Sequence, residues 1–182
     1  MDFGAVNPTV CLWVAVDNAD NIYIYDEYYH SGQTSVFHAD VIKAKSGKTM
    51  FSATWGDPSA EQQMLDYAAQ GVPIAPALKV VEAEQRGWVK SGIEKVRELL
   101  KPHPQTLRPR IFVFRNCANT IREFESYHWL EKMGDIDTKE LPDKVDDHCM
   151  DALRYFVVSF APPLRDEGQE TPTLPTNFYT GY

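Results

Sequence analysis

The chain has 182 residues, of which 43% are hydrophobic and 24% charged, enough for a real core in one ordinary soluble globular domain. Its net charge of −8 on its face argues against nucleic acid as a partner. No segment approaches the apolar length needed to cross a bilayer. Met1 is followed at once by Asp2 rather than by a leader, so neither secretion nor a membrane partner is expected.

Met1–Gly4 reads as the end of a strand, with a turn at Asn7-Pro8, so the chain opens inside a sheet. Residues 10–16 and 22–25 are β-branched and aromatic runs separated by the polar stretch 17–21, which predicts a hairpin. Val36, Phe37, Val41 and Ile42 recur at helical spacing and predict a helix over 36–45. A short strand over Thr49–Trp55 follows, closed by Gly56-Asp57-Pro58-Ser59. Ser59 with Gln62 has the form of a capping box for a helix burying Met64, Leu65 and Ala68. Residues 71–74 lead into another extended piece. Val89, Ile93, Val96, Leu99 and Leu100 form one stripe of a helix over 88–100, ended by Pro102.

A strand over 110–114, a helix over 119–127 and a last helix over 147–160 complete the domain. That last helix places Ala152, Leu153, Phe156, Val157 and Phe160 on its inner face. Antiparallel strands followed by strands alternating with helices predict a mixed α/β sheet covered on both faces. Residues 161–182, rich in Pro, Thr and Tyr, read as an extended or flexible tail. Cys11, Cys117 and Cys149 cannot all pair with one another, form no C-x-x-C, and read as small core residues of a reducing compartment.

Ser46-Gly47-Lys48-Thr49 has the look of a phosphate-binding loop. The motif needs a glycine five positions before Gly47, where Ile42 stands, and a strand before it rather than a helix. A solvated basic loop is the better reading.

The informative residues are acidic. Asp2 lies at a strand end, Asp57 follows another strand, and Asp146, Asp147 and Asp151 open the last helix, with Asp147 and Asp151 four residues apart on one face. Clustered carboxylates repel and raise one another's pKa, so their convergence calls for a cation. Oxygen ligands without a Cys/His quartet favour Mg²⁺ or Mn²⁺, and two such ions roughly 3.5–4 Å apart can clamp a phosphodiester. Each residue also has a plainer role: helix capping for Asp146 or Asp147, a turn for Asp57, surface charge for Asp2. His148 has two readings, a partner of the metal site or a partly exposed helix-start residue. Arg86, Lys90, Arg108, Arg110 and Arg115 are candidates for a basic rim that binds phosphates.

Asp2-Phe3-Gly4, Asn7-Pro8-Thr9, Tyr25-Asp26-Glu27-Tyr28-Tyr29, Gly56-Asp57-Pro58-Ser59, Ser91-Gly92-Ile93-Glu94-Lys95-Val96 and Asp146-Asp147-His148-Cys149-Met150-Asp151-Ala152-Leu153-Arg154-Tyr155 occur in this order. Together they resemble the C-terminal nuclease domain of terminase large subunits from tailed bacteriophages and prophages, over residues 2–160. The last motif is the most specific.

The resemblance implies a ribonuclease H-like fold for residues 1–160 and two divalent ions held by aspartates. It also implies cleavage of concatemeric double-stranded DNA during genome packaging in the cytoplasm of a bacterial host. Carried over by position, Asp2 and Asp57 are the first two metal-binding and catalytic acids, and Asp151 or its neighbour Asp147 the third. The implied partners are DNA, an ATPase motor domain, a portal and a small terminase subunit. A motor precedes such domains in the family; its absence ahead of Met1 is read as a shortened chain or a split gene product. Other ribonuclease H-like nucleases, of resolvase or transposase type, and a non-catalytic docking module are the competing readings.

Overall fold

The computed structural model describes residues 1–4, 6–78, 87–127 and 145–160; Arg86 and the expected tail over 161–182 lie outside them. The first strand, β1 (Thr9–Val16), pairs antiparallel with β2 (Ile22–His30), and β2 pairs in parallel with a strand at Ile111–Val113. The hairpin turn is closed by Asp17, whose carboxylate accepts the N–H groups of Ala19 and Asn21. The register of β1 on β2 slips between Trp13 and Val14, leaving Tyr25 as a bulge. A bulge exchanges the faces of every residue beyond it. Ile22 and Ile24 therefore share one layer, while after the bulge Tyr28 points to the other. This carries β2 past the charged pair Asp26-Glu27, well beyond the four residues that the apolar run predicts.

Helix α1 (Ser35–Ser46) is capped by the Thr34 hydroxyl, which accepts the Phe37 N–H. It buries His38, Ala39 and Ile42, so its inner face is rotated from the expected stripe, and Val36 and Phe37 stand exposed. The strand expected over Thr49–Trp55 shrinks to β3 (Trp55–Gly56), because its partner β4 (Ala75–Pro76) is two residues long and Pro76 has no N–H to offer a ladder. Helix α2 (Glu61–Ala69) lacks the expected capping box. Ser59 instead gives its N–H and hydroxyl to Asp57. Met64 and Tyr67 form the buried face of α2, and Leu65 and Ala68, expected there, are exposed.

Helix α3 (Gly87–Leu100), strand β5 (Ile111–Val113), helix α4 (Ala118–Ser126) and helix α5 (His148–Phe160) follow. Ile93 and Leu99 are the buried anchors of α3, while Leu100 is exposed. Helices α1 and α2 pack with Cys11, Trp13 and Tyr28 on one face of the sheet. On the other, α3, α4 and α5 pack with Val10, Ile22, Ile24 and Ile111. The predicted mixed sheet with helices on both faces is what forms. All three cysteines are buried and free, as expected. Among the described residues no helix is long and apolar enough to cross a membrane.

Candidate metal centre

The segment Met1–Phe3 bridges the two small sheets. The Asp2 N–H and carbonyl both bond to Val10, and the Met1 amino group donates to the Trp55 carbonyl. Two glycines permit this. A Cβ on Gly4 would lie 2.1 Å from the Asn7 carbonyl oxygen, so only glycine fits where the chain folds back into β1. A Cβ on Gly56 would lie 2.8 Å from the Phe3 ring, so its absence lets Phe3 lie against β3 and brings the strand that leads to Asp57 alongside Asp2.

From the other side, α5 delivers His148. Its Nδ1 is 2.9 Å from Asp2 Oδ2, a bond between residues 146 apart in sequence. Both side chains are largely enclosed. Burial pushes the Asp2 carboxyl above its ordinary range, His148 opposes that, and the Asp151 charge adds to it. The bond to Asp2 in turn raises His148, against its own burial. A buried acid that resists ionisation beside a second carboxylate suits a cation.

Two glutamates that the sequence did not single out fix the helices beneath. Glu27, turned toward α4 by the bulge at Tyr25, accepts the N–H groups of Asn119 and Thr120 at 2.8 and 2.9 Å, together with both their side chains. Glu123 on α4 accepts the Cys149 N–H at 2.6 Å and the Met150 N–H at 3.4 Å. The start of α5 is thus capped from another helix, although Asp146 and Asp147 stand beside it. Asp146 occupies the left-handed region at φ 50°, which aspartate tolerates better than most residues.

Asp151, one turn into α5, is held by Arg154 with Nη2 at 2.8 Å and Nε at 3.3 Å. The guanidinium lies against the rings of both Trp88 (4.4 Å) and Tyr155 (4.7 Å), which stack on each other, and Arg154 is almost fully buried. The spacing of three on a helix was the available signal for this pair. Burial raises the Tyr155 hydroxyl, and Asp151, Asp57 and Asp2 add to that rise while Arg154 opposes it. Three of the four expected acids therefore lie within electrostatic reach of one phenol. Asp147 is buried at the foot of α5, where its carbonyl accepts the Asp151 N–H. Among the described residues, no three His, Cys, Asp or Glu side chains are arranged to hold one metal ion.

The basic residues are more scattered. Arg110 pairs with Asp20 at 3.2 Å and donates to the Ala19 carbonyl, at the end of the hairpin away from Asp2. Lys90, Arg108 and Arg115 are exposed on α3, before β5 and after β5 respectively.

Residues 1–160 match the model of the family described as the terminase RNaseH-like domain. No curated protein sequence matches the chain. The large terminase from a thermophilic bacteriophage, in complex with ATP-gamma-S, is similar with a TM-score of 0.70 at 26% identity, over 87% of this chain and 38% of that one. The P22 large terminase nuclease domain is similar with a TM-score of 0.62 at 24% identity, over 86% of this chain and 77% of that one. For the g2p (large terminase) nuclease domain of bacteriophage SPP1 with bound Mn, the TM-score is 0.61 at 20% identity, over 85% and 80%. The chain therefore spans well under two thirds of the thermophilic phage protein.

Proposed function

Because the chain belongs to the terminase RNaseH-like domain family and has a ribonuclease H-like fold, we propose that it is a divalent-metal-dependent endonuclease. Its substrate in this reading is concatemeric double-stranded DNA, cut during viral genome packaging in the cytoplasm of a bacterial host. The observation that carries the proposal is the 2.9 Å bond between Asp2 and His148 beside Asp151. It joins a strand end and a helix start into one acidic locus.

Asp2, Asp57 and Asp151, with Asp147 at the foot of the helix, are the residues that would hold two Mg²⁺ or Mn²⁺ ions. The donor set is all oxygen, with one imidazole behind it, which fits hard divalent cations. The Mn bound to the SPP1 domain supports the same class of ion. When bound, the ions would supply an activated water and charge stabilisation at the leaving oxygen.

The chain's own residues provide the setting. His148 fixes one oxygen of Asp2 and holds a proton against it. Arg154 fixes Asp151 and offsets part of the local negative charge. Glu123 holds the first turn of α5 in register with Asp2. The ATP-gamma-S bound to the thermophilic phage's large terminase supports an ATPase motor as a partner, with a portal and a small terminase subunit completing the assembly. A chain of net charge −8 has weak intrinsic affinity for DNA, and recruitment by such modules would limit indiscriminate cutting.

The test is plasmid cleavage in Mn²⁺, Mg²⁺ or EDTA by the parent, Asp57→Asn and Asp151→Asn, with circular dichroism to check folding. Metal-dependent nicking and linearisation, lost in both folded variants, is the expected result. A folded parent inactive in every metal would reject the nuclease and favour a docking module. Activity surviving both substitutions would reject the site.

A further inference from the structure

We propose that Arg122 is a phosphate-binding residue that holds the duplex DNA backbone beside the Asp2–His148 pair; this rests on the nuclease reading and names a contact for its substrate. Arg122 is exposed on α4. Its Nη1 donates to the Asn119 side-chain oxygen at 2.8 Å, and its guanidinium lies 5.4 Å from the centre of the Tyr29 ring. Both partners are themselves tied to the fold. Asn119 is tied through its N–H and its amide nitrogen to Glu27, each at 2.8 Å. The Tyr29 ring meets the His148 ring edge-on at 6.4 Å, and His148 is the residue bonded to Asp2. Arg122 is thus one phenol and one imidazole away from the acidic locus.

Arg122 differs from five other cations among the described residues, which are ion-paired. Lys43, Lys45, Lys101, Arg110 and Arg154 each pair with a carboxylate, so their fields are largely cancelled locally. Arg122 is held instead by a neutral amide and an aromatic face, and no acid among the described residues pairs with it. Holding a long side chain in one rotamer costs entropy, and this one is held with its full charge toward solvent. A guanidinium has five donors in a planar fork. One is spent on Asn119, and the others remain on an exposed side chain, where a guanidinium fork suits two oxygens of a phosphate. The Tyr29 face also restricts the fork to one plane. In an acidic protein, such a cation next to clustered carboxylates offsets their repulsion of a polyanion at the place where the strand must approach.

The test is duplex binding by fluorescence anisotropy, using a labelled double-stranded oligonucleotide in Ca²⁺ over a KCl series. The full chain is compared with Arg122→Ala and Arg122→Lys, and thermal melts check that each is folded. A phosphate contact predicts that Arg122→Ala binds roughly three- to tenfold more weakly at low salt, with the slope of log K against log salt reduced by about 1. Arg122→Lys keeps the slope, since it keeps the charge. An unchanged slope and affinity in Arg122→Ala would overturn the proposal, as would a parent chain that does not bind duplex. Plasmid cleavage by the parent is scored separately. A parent that cleaves while Arg122→Ala binds normally removes Arg122 alone, whereas a parent that binds with the predicted slopes and never cleaves removes the nuclease reading and keeps the contact.

Discussion

Glu123 of α4 accepts the backbone N–H groups of Cys149 and Met150, so the helix that carries His148 and Asp151 takes its cap from a different helix. The first N–H groups of a helix have no partner within it, and they form its positive end. A carboxylate there satisfies them and sets where the helix begins. Because Glu27 holds the start of α4 in the same way, the chain of support runs from β2 through α4 to α5 and ends at Asp2.

The cap makes a split prediction for two substitutions. Glu123→Ala leaves buried N–H groups without an acceptor and should lower stability by about 2–3 kcal/mol. In Glu123→Gln the amide oxygen still accepts, and the burial that raises the Glu123 carboxyl no longer acts on a charge. That variant should stay within about 1 kcal/mol of the parent. Urea unfolding at pH 7 separates them, and an alanine variant with the parent's midpoint would rule the cap out as a source of stability.

Gly92 tests how firmly Asp151 must be held. A Cβ at this position would lie 2.6 Å from Arg154 Cγ and 2.8 Å from Cδ. Those atoms are mid-stem, and the guanidinium beyond them is held against Trp88 and Tyr155 and bonded to Asp151. Gly92→Ala should therefore cost about 1–3 kcal/mol by overpacking and shift the guanidinium off Asp151. Calorimetric titration with Mn²⁺ should then show weaker binding than in the parent. Parent-like stability together with parent-like Mn²⁺ affinity would mean that α3 yields freely and Arg154 does not position the acid.

Much of this architecture was legible because periodicity reports burial. The hairpin, the helix over 88–100 and the last helix all follow from apolar spacing, and Asp2, Asp57 and Asp151 stand out as acids at element ends. What stayed hidden is what spacing does not encode. The Tyr25 bulge reverses the faces of Asp26 and Glu27 without leaving a mark in an aromatic run. Glu123, on the polar-looking stretch Arg122–Ser126, reads as a surface charge until α5 packs over it. On α1 the residues at 38, 39 and 42 take the core in place of the more apolar pair at 36 and 37, since packing against Tyr28 rewards the imidazole of His38. The Ser59 capping box failed because Asp57, two residues earlier, is the stronger local acceptor.

His38 gives a pH dependence of stability. It is buried with Nδ1 2.7 Å from the Tyr28 hydroxyl, and burial first, then the nearby His30 charge, lowers its pKa below the ordinary 6.5. The unfolded chain then takes up the proton before the folded one. This contribution is fully present above pH 6.5 and is lost as pH falls toward the lowered folded value. His148 is raised and acts in the opposite sense: its contribution is present below 6.5 and lost as pH rises through its folded value. Only a difference between variants isolates His38. The stability gap between the parent and His38→Gln should change in the parent's favour from pH 5.5 to 7.5, by no more than about 1.4 kcal/mol per pH unit. A gap independent of pH would mean that folding does not shift the His38 pKa.

Asp2 should show a conflict between stability and metal binding. Its carboxyl is pushed up by burial and by Asp151, so ionising it in the folded chain is unfavourable. Asp2→Asn keeps the shape and removes that charge, and its amide can still meet the His148 ring. In EDTA the variant should melt at or above the parent's temperature. Mn²⁺ should reverse the order, because an ion bound only by the folded state stabilises it by about 2.7 kcal/mol at a hundred times its Kd. The parent's melt should rise with Mn²⁺ while the variant's stays fixed. Differential scanning calorimetry with and without Mn²⁺ reads both arms. A parent melt indifferent to Mn²⁺ would contradict Asp2 as a ligand, and a variant that melts well below the parent in EDTA would mean that the Asp2 charge stabilises the fold through His148 instead.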